Sequence, residues 1–162
     1  MKIKHKILIV DDEALTRERL GDLFIKRGLD VVFACNGKEA LDICTADQTI
    51  DIVSMDCNMP VIDGYKATKK IKKIRPNLII IAVTGNKDIE KRYKKTGFDD
   101  YFKKPVTWDG LWALIKDKLS NLGFINASVF FTEAFFIMID FSEFFRKLNE
   151  AILIIPNIGT FD

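Results

Sequence analysis

Five short apolar runs alternate along the chain with stretches of helical periodicity, and this alternation limits the fold more than any other property of the sequence. The runs are residues 6–10 ("KILIV"), 29–34, 50–55, 78–83 and a weaker one at 100–103. Four of them are near-continuous in Val, Ile and Leu, the pattern of strands covered on both faces. Leu15, Leu20, Leu23 and Phe24 mark a first helix, Ala40, Leu41 and Cys44 a second, and Tyr65, Ala67, Thr68, Ile71 and Ile74 a third. A short polar fourth runs over residues 87–95, and a fifth carries Trp108, Leu111, Trp112, Ile115 and Leu119 on one side. Gly28, Gly37, Gly64 and Gly97 fall at the joints, and Pro76 closes the third helix. Strict β-α alternation with buried strands predicts an α/β fold, an open doubly wound parallel sheet over residues 5–121.

Composition excludes several classes. With 162 residues, 48% apolar and 30% charged, the chain suits one ordinary globular domain with a modest surplus, and a net charge of +2 implies no nucleic-acid partner. Cys35, Cys44 and Cys57 have no CxxC spacing and His5 is the single histidine, which disfavours a disulfide framework or a zinc site and fits a reducing, cytoplasmic setting. "MKIKHKILIV" begins like a signal peptide, but "DDE" cuts its apolar run short, so it reads as mature sequence.

In an open parallel sheet, ligands bind outside the carboxyl ends of the strands. Those ends carry Asp11, Asp12 and Glu13 after the first strand, Asp56 and Asn58 after the third, Thr84 and Gly85 after the fourth, and Lys104 with Pro105 after the fifth. Carboxylates about 4 Å apart repel by roughly 4 kcal/mol at an effective dielectric near 20, so such a cluster wants a cation. Oxygen ligands without imidazole or thiolate select a hard ion, Mg²⁺ by preference, which keeps waters and leaves room for a phosphoryl oxygen. Lys104 and Thr84 complete a site able to neutralise and hydrogen-bond a phosphoryl group, with the Asp56 carboxylate as its acceptor.

These residues resemble the receiver domain of two-component response regulators, the CheY-like superfamily. "ILIVDDE" is similar to its acidic pair, "IDIVSMDCNMPVIDGYKA" to its phosphoacceptor segment, "IIIAVTGN" to its switch-threonine strand and "GFDDYFKKP" to its aromatic and lysine segment. The resemblance covers residues 5–121 with all elements in order, and it implies the flavodoxin-like strand order 2-1-3-4-5; a protein of this family is the standard example of that order. It further implies that Asp56 takes a phosphoryl group from a phosphohistidine on a sensor histidine kinase or histidine phosphotransfer protein. Asp11 and Asp12 would organise Mg²⁺, joined by Asp56 and the backbone carbonyl of Asn58. Lys104 would pair with the carboxylate and then with the phosphoryl oxygens, Thr84 would move to hydrogen-bond the new group, and Tyr101 would turn inward as the switch aromatic. The span 84–97 is a little shorter than usual for the family, and Gly85 stands where a small alanine is common.

Taken singly, "DDE" fits a solvated helix start and Asp56 turn chemistry; it is their joint occurrence at strand ends that favours the phosphoacceptor reading. Two alternatives stand beside it. A phosphorylation-independent interaction module would keep the fold without the chemistry, against which the complete set Asp11, Asp12, Asp56, Thr84 and Lys104 argues. A haloacid-dehalogenase-type Mg²⁺ phosphohydrolase would place its nucleophile in a DxDxT pattern, which "VDDEALT" lacks. The expected role is therefore signalling, not catalysis on a separate substrate.

Residues 122–162 form an extension that the resemblance does not explain. From Phe124 on lie nine of the 13 phenylalanines, with Arg146 and Lys147 the basic residues, too few for a DNA-recognition helix. Glu133, Asp140, Glu143, Lys147 and Glu150 would make one narrow polar stripe on a helix over residues 129–155, ended by Pro156. Glu133 and Asp140 interrupt any run long enough to span a membrane. Packing on the receiver or self-association, including a homodimer or a partner-protein contact, is favoured over membrane contact, and no effector domain is recognised.

Overall fold

The computed structural model describes residues 4–137, with side chains described through residue 122. Its strands are β1 (Lys6–Val10), β2 (Asp30–Ala34), β3 (Ile52–Asp56), β4 (Ile79–Thr84) and β5 (Asp100–Lys103). The helices α1 (Ala14–Lys26), α2 (Gly37–Ala46), α3 (Gly64–Ile74), α4 (Ile89–Thr96) and α5 (Trp108–Ile137) follow them in strict alternation. All pairings are parallel, in the order β2-β1-β3-β4-β5, so the reversal of winding falls between β1 and β3. Leu8 opposite Val53, and Met55 opposite Ala82, show the register that aligns the carboxyl ends of β1, β3 and β4.

Alternate strand residues serve opposite faces. Leu8, Val10, Val53, Met55, Ile80 and Ala82 join Ala40 and Cys44 of α2, Ala67 and Ile71 of α3 and Ile89 of α4 in one core. Ile7, Ile9, Ile52 and Ile81 are buried on the other side, where Phe24 of α1 lies 6.5 Å from Trp112 of α5. Local sequence sets the joints. The Asn36 side chain accepts from the Lys38 and Glu39 N–H groups at the start of α2, Asp63 accepts from the Lys66 N–H at 2.8 Å to cap α3, and Gly97, at φ 105°, ends α4.

Several details differ from the sequence expectation. Asp56 and Thr84 are the last residues of β3 and β4, not the first residues after them, because the ladder extends one pair further than the apolar runs. β2 is not covered on both faces: it is an edge strand with only Ala34 buried and Phe33 exposed. Leu15, Ile74 and Trp108 match the helical spacing yet are exposed, each in a terminal turn where no neighbouring layer covers its side chain. α5 continues to Ile137, well past the expected fifth helix.

The chain divides into two units, Met1–Ser120 and Asn121–Asp162. The helix expected over residues 129–155 is described only as far as Ile137, without side chains; Asp140, Glu143, Lys147, Glu150 and Pro156 lie outside the described residues. No helix among the described residues is long and apolar enough to cross a membrane.

Candidate functional site

Parallel strands ending at one edge bring together residues from four distant segments. Asp11 follows β1 directly and is buried, and its Oδ1 accepts the Glu13 N–H at 3.0 Å, which turns the acidic loop. Asp12 next to it is exposed. Arg17, one turn into α1, donates to the carbonyls of Asp11 at 2.7 Å and Asp12 at 3.1 Å, clamping that loop through its backbone. Asp56 is 5% exposed, and Oδ1 of its carboxylate accepts the Cys57 N–H at 2.8 Å. One carboxylate oxygen from each of Asp11, Asp12 and Asp56 lies within 4.8 Å of the others.

Lys104 reaches this cluster from the end of β5. Its Nζ donates to Asp11 Oδ2 at 2.9 Å and stands 3.5 Å from Asp56 Oδ1. Its backbone N–H donates to the Thr84 carbonyl at 2.9 Å, so the lysine is held by the strand that carries the threonine. Thr84 is fully buried, and its Oγ1 accepts the Asn86 N–H at 3.2 Å. Tyr101 is half-buried, its ring 4.9 Å from that of Tyr93 in α4. Asn58 is exposed at the head of the loop after β3, and its N–H favours the ionised Asp56.

Gly64 is needed for this geometry. A Cβ there would fall 2.0 Å from the Asp56 carbonyl oxygen, while the Gly64 N–H donates to the Cys57 carbonyl at 3.1 Å. The start of α3 is thus pressed against the segment carrying Asp56, an approach only glycine permits.

Burial pushes the Asp56 carboxyl above the usual carboxylate range; the Lys104 charge opposes this and Asp11 adds to it. Burial works to lower Lys104, but the Asp11 hydrogen bond and the Asp56 charge outweigh it, and its ammonium is held above the ordinary lysine value. Three carboxylates against one ammonium leave about two negative charges in a small volume. That oxygen-only donor set, two of its members buried, fits a hard divalent cation such as Mg²⁺. The Cys57 thiol is pushed up to about 11 by burial and stays protonated, so it does not join the anionic set.

The side chains of Asp11, Asp12, Asp56 and Lys104 therefore converge, Thr84 is tied to Lys104 through its carbonyl, and Tyr101 lies against Tyr93 of α4. Arg17 and Asn86 were not singled out from sequence: an arginine on an exposed helix face and an asparagine in a loop carry no signal until the fold shows which backbone groups they meet.

The family model of the response regulator receiver domain matches residues 7–116. The hybrid signal transduction histidine kinase A of Dictyostelium discoideum is 35% identical over 130 residues, covering 76% of this chain and 6% of the kinase. The probable transcriptional regulator ycf27 of Porphyridium aerugineum is 36% identical over 121 residues, 74% of this chain and 50% of that protein. The chain thus spans half or less of the length of these relatives. A CheY-like receiver domain protein from Methanospirillum hungatei JF-1 superposes with a TM-score of 0.70 at 28% identity, covering 74% of this chain and 96% of that one. The response regulator protein TrrA of Thermotoga maritima, solved in complex with Mg²⁺-BeF, superposes with a TM-score of 0.66 at 30% identity, covering 70% and 98%.

Proposed function

Because this chain belongs to the response regulator receiver family, we propose that it is a phosphoacceptor of a two-component phosphorelay, with Asp56 as the residue phosphorylated. The observation that carries this reading is the buried Asp56 carboxylate, 3.5 Å from the Lys104 ammonium and within 4.8 Å of two further carboxylates at one strand edge. A carboxylate oxygen of Asp56 attacks phosphorus, the P–N bond to the partner's imidazole breaks, and the nitrogen leaves with the electron pair. Lys104 neutralises the phosphoryl oxygens and Thr84 donates its hydroxyl to one of them. Mg²⁺, held by Asp11, Asp12, Asp56 and the Asn58 carbonyl, would supply further charge neutralisation there.

The donor is the phosphohistidine of a sensor histidine kinase or histidine phosphotransfer protein, in keeping with the hybrid kinases among the relatives. The chain acts only on itself, forming and losing its own aspartyl phosphate in the cytoplasm, and signals when Thr84 and then Tyr101 adjust to the new group. Residues 122–162 constitute a separate, Phe-rich extension through which the chain would self-associate or meet a partner protein.

Intact mass of wild type and Asp56→Asn after incubation with acetyl phosphate, with and without Mg²⁺, tests the assignment. A metal-dependent phosphoryl adduct confined to the wild type is expected. An adduct persisting in Asp56→Asn would move the site elsewhere, and none in folded, metal-loaded wild type would favour the interaction-module reading.

A further inference from the structure

Tyr65, the second residue of α3, is held on three sides. Phe98 meets its ring edge-on at 5.9 Å, the Arg92 guanidinium lies 4.5 Å from its centroid, and its hydroxyl accepts from Asn86 Nδ2 at 3.2 Å. Asn86 has three further bonds. Its N–H donates to Thr84 Oγ1 at 3.2 Å, its Oδ1 accepts the Asp88 N–H at 2.9 Å, and its carbonyl accepts the Ile89 N–H at 3.4 Å. Asn86 therefore joins the buried threonine hydroxyl to the first turn of α4, and Tyr65 is the group outside that loop which fixes its amide. Arg92, one turn into α4, returns to the same ring, so α3 grips α4 and the loop before it through one side chain. The phenol stays protonated, pushed up to about 12 by burial and by the Cys57 side chain, and remains a neutral acceptor for the Asn86 amide.

We propose that Tyr65 is a positioning residue for the switch: by holding Asn86 it keeps the Thr84 hydroxyl and the start of α4 in the resting arrangement, and opposes the movement of Thr84 onto a phosphoryl group. The role rests on the reading of Asp56 and Thr84 given above. Its physical basis is linkage. Moving the Thr84 hydroxyl toward the acceptor side gives up its bond from the Asn86 N–H, and a loop anchored through Asn86 cannot follow. Loss of the anchor shifts the unphosphorylated population toward the phosphorylation-competent arrangement.

The test uses the full chain with Tyr65→Phe, which keeps the ring and its contacts to Phe98 and Arg92, together with Asn86→Ala and the double variant. Amide hydrogen exchange over residues 86–93 in the unphosphorylated protein is expected to quicken about twofold to tenfold in Tyr65→Phe, the range set by one hydrogen bond. Phosphorylation by acetyl phosphate with Mg²⁺ should accelerate by a similar factor. The double variant should change neither reading beyond Asn86→Ala. Should Tyr65→Phe lower the global denaturation midpoint, Asn86→Ala carries the same two expectations. Unchanged exchange would overturn the proposal. So would quickened exchange with an unaltered phosphorylation rate, which would leave Tyr65 a purely structural contact. A wild type that takes no adduct would instead remove the underlying reading of Asp56, and the exchange measurement would still report whether the Tyr65 anchor exists.

Discussion

Asp56 is held between two opposing demands. Burial disfavours its charge, whereas Lys104 and the Cys57 and Asn58 N–H groups favour it. Such a carboxylate is sensitive to small displacements, and Gly64 controls one of them. Gly64→Ala would drive a methyl into the Asp56 carbonyl, so a loss of about 1 to 3 kcal/mol in denaturant-unfolding free energy is expected, with slower adduct formation. A different carboxylate contributes to acid stability. Two hydrogen bonds from Thr49, from its hydroxyl and its N–H, and then Lys6, depress Asp47 to about 2. A depressed carboxyl contributes stability that is complete above its unfolded value near 4 and is lost as pH falls through its folded value. Asp47→Asn should therefore cost about 1 kcal/mol at neutral pH, allowing for solvent screening of a partly exposed group, and the difference from wild type should vanish between pH 4 and pH 2. Urea titrations across that window check it.

At the scale of elements, helical spacing and actual burial part company at helix ends. Ile71 in the middle of α3 is fully buried in the core shared by β3 and β4, whereas Leu15 in the first turn of α1 is 49% exposed. Ile71→Ala should destabilise by about 2 to 5 kcal/mol, and Leu15→Ala by less than about 0.5 kcal/mol, both read from denaturation midpoints. The periodic pattern contains both residues and cannot rank them. What separates them is whether a neighbouring layer lies against the side chain, as it does for Ile71 and does not for Leu15. α4 is the least apolar helix of the described chain, with Ile89 and Thr96 its buried residues. Its place depends instead on named polar contacts, among them Asn86 at its start, Arg92 on Tyr65 and Glu90 with Lys103 at 2.5 Å. An element secured in this way can shift at smaller cost than one secured by a dense core, and it borders the loop that follows Thr84.

For the molecule as a whole, folding gathers like charges that the unfolded chain keeps apart. Asp11, Asp12 and Asp56 converge with one lysine between them, so the folded state carries a local repulsion that a bound cation would relieve. Mg²⁺ should accordingly raise the unfolding midpoint of the wild type, corresponding to an added unfolding free energy of about 2.7 kcal/mol when present at a hundredfold excess over its dissociation constant. Asp12→Asn should show a smaller metal-dependent rise, because one ligand charge is gone. A midpoint indifferent to Mg²⁺ in the wild type would contradict the metal assignment. Thermal unfolding at several Mg²⁺ concentrations, at constant ionic strength, distinguishes these outcomes.

Much of this was legible in the primary sequence, and the reason is local. Continuous Val, Ile and Leu runs alternating with helical spacing admit few solutions besides a doubly wound parallel sheet, and strand ends in such a sheet form one edge. Asp11, Asp12, Asp56, Thr84 and Lys104 could thus be placed at or just beyond strand ends from their positions along the chain, while the strand order was what the family resemblance implied. Tertiary structure decided what depends on close approach between segments: the contact that demands glycine at 64, the Arg17 clamp on the acidic loop, and the bond from Asn86 to Tyr65. It also decided that Tyr101 rests against Tyr93. Periodicity reports which face a side chain occupies, because that follows from backbone geometry repeated over a few residues. It carries no information on which atom from a segment twenty or more residues away will lie 3 Å from it, since that distance exists only once the sheet has closed.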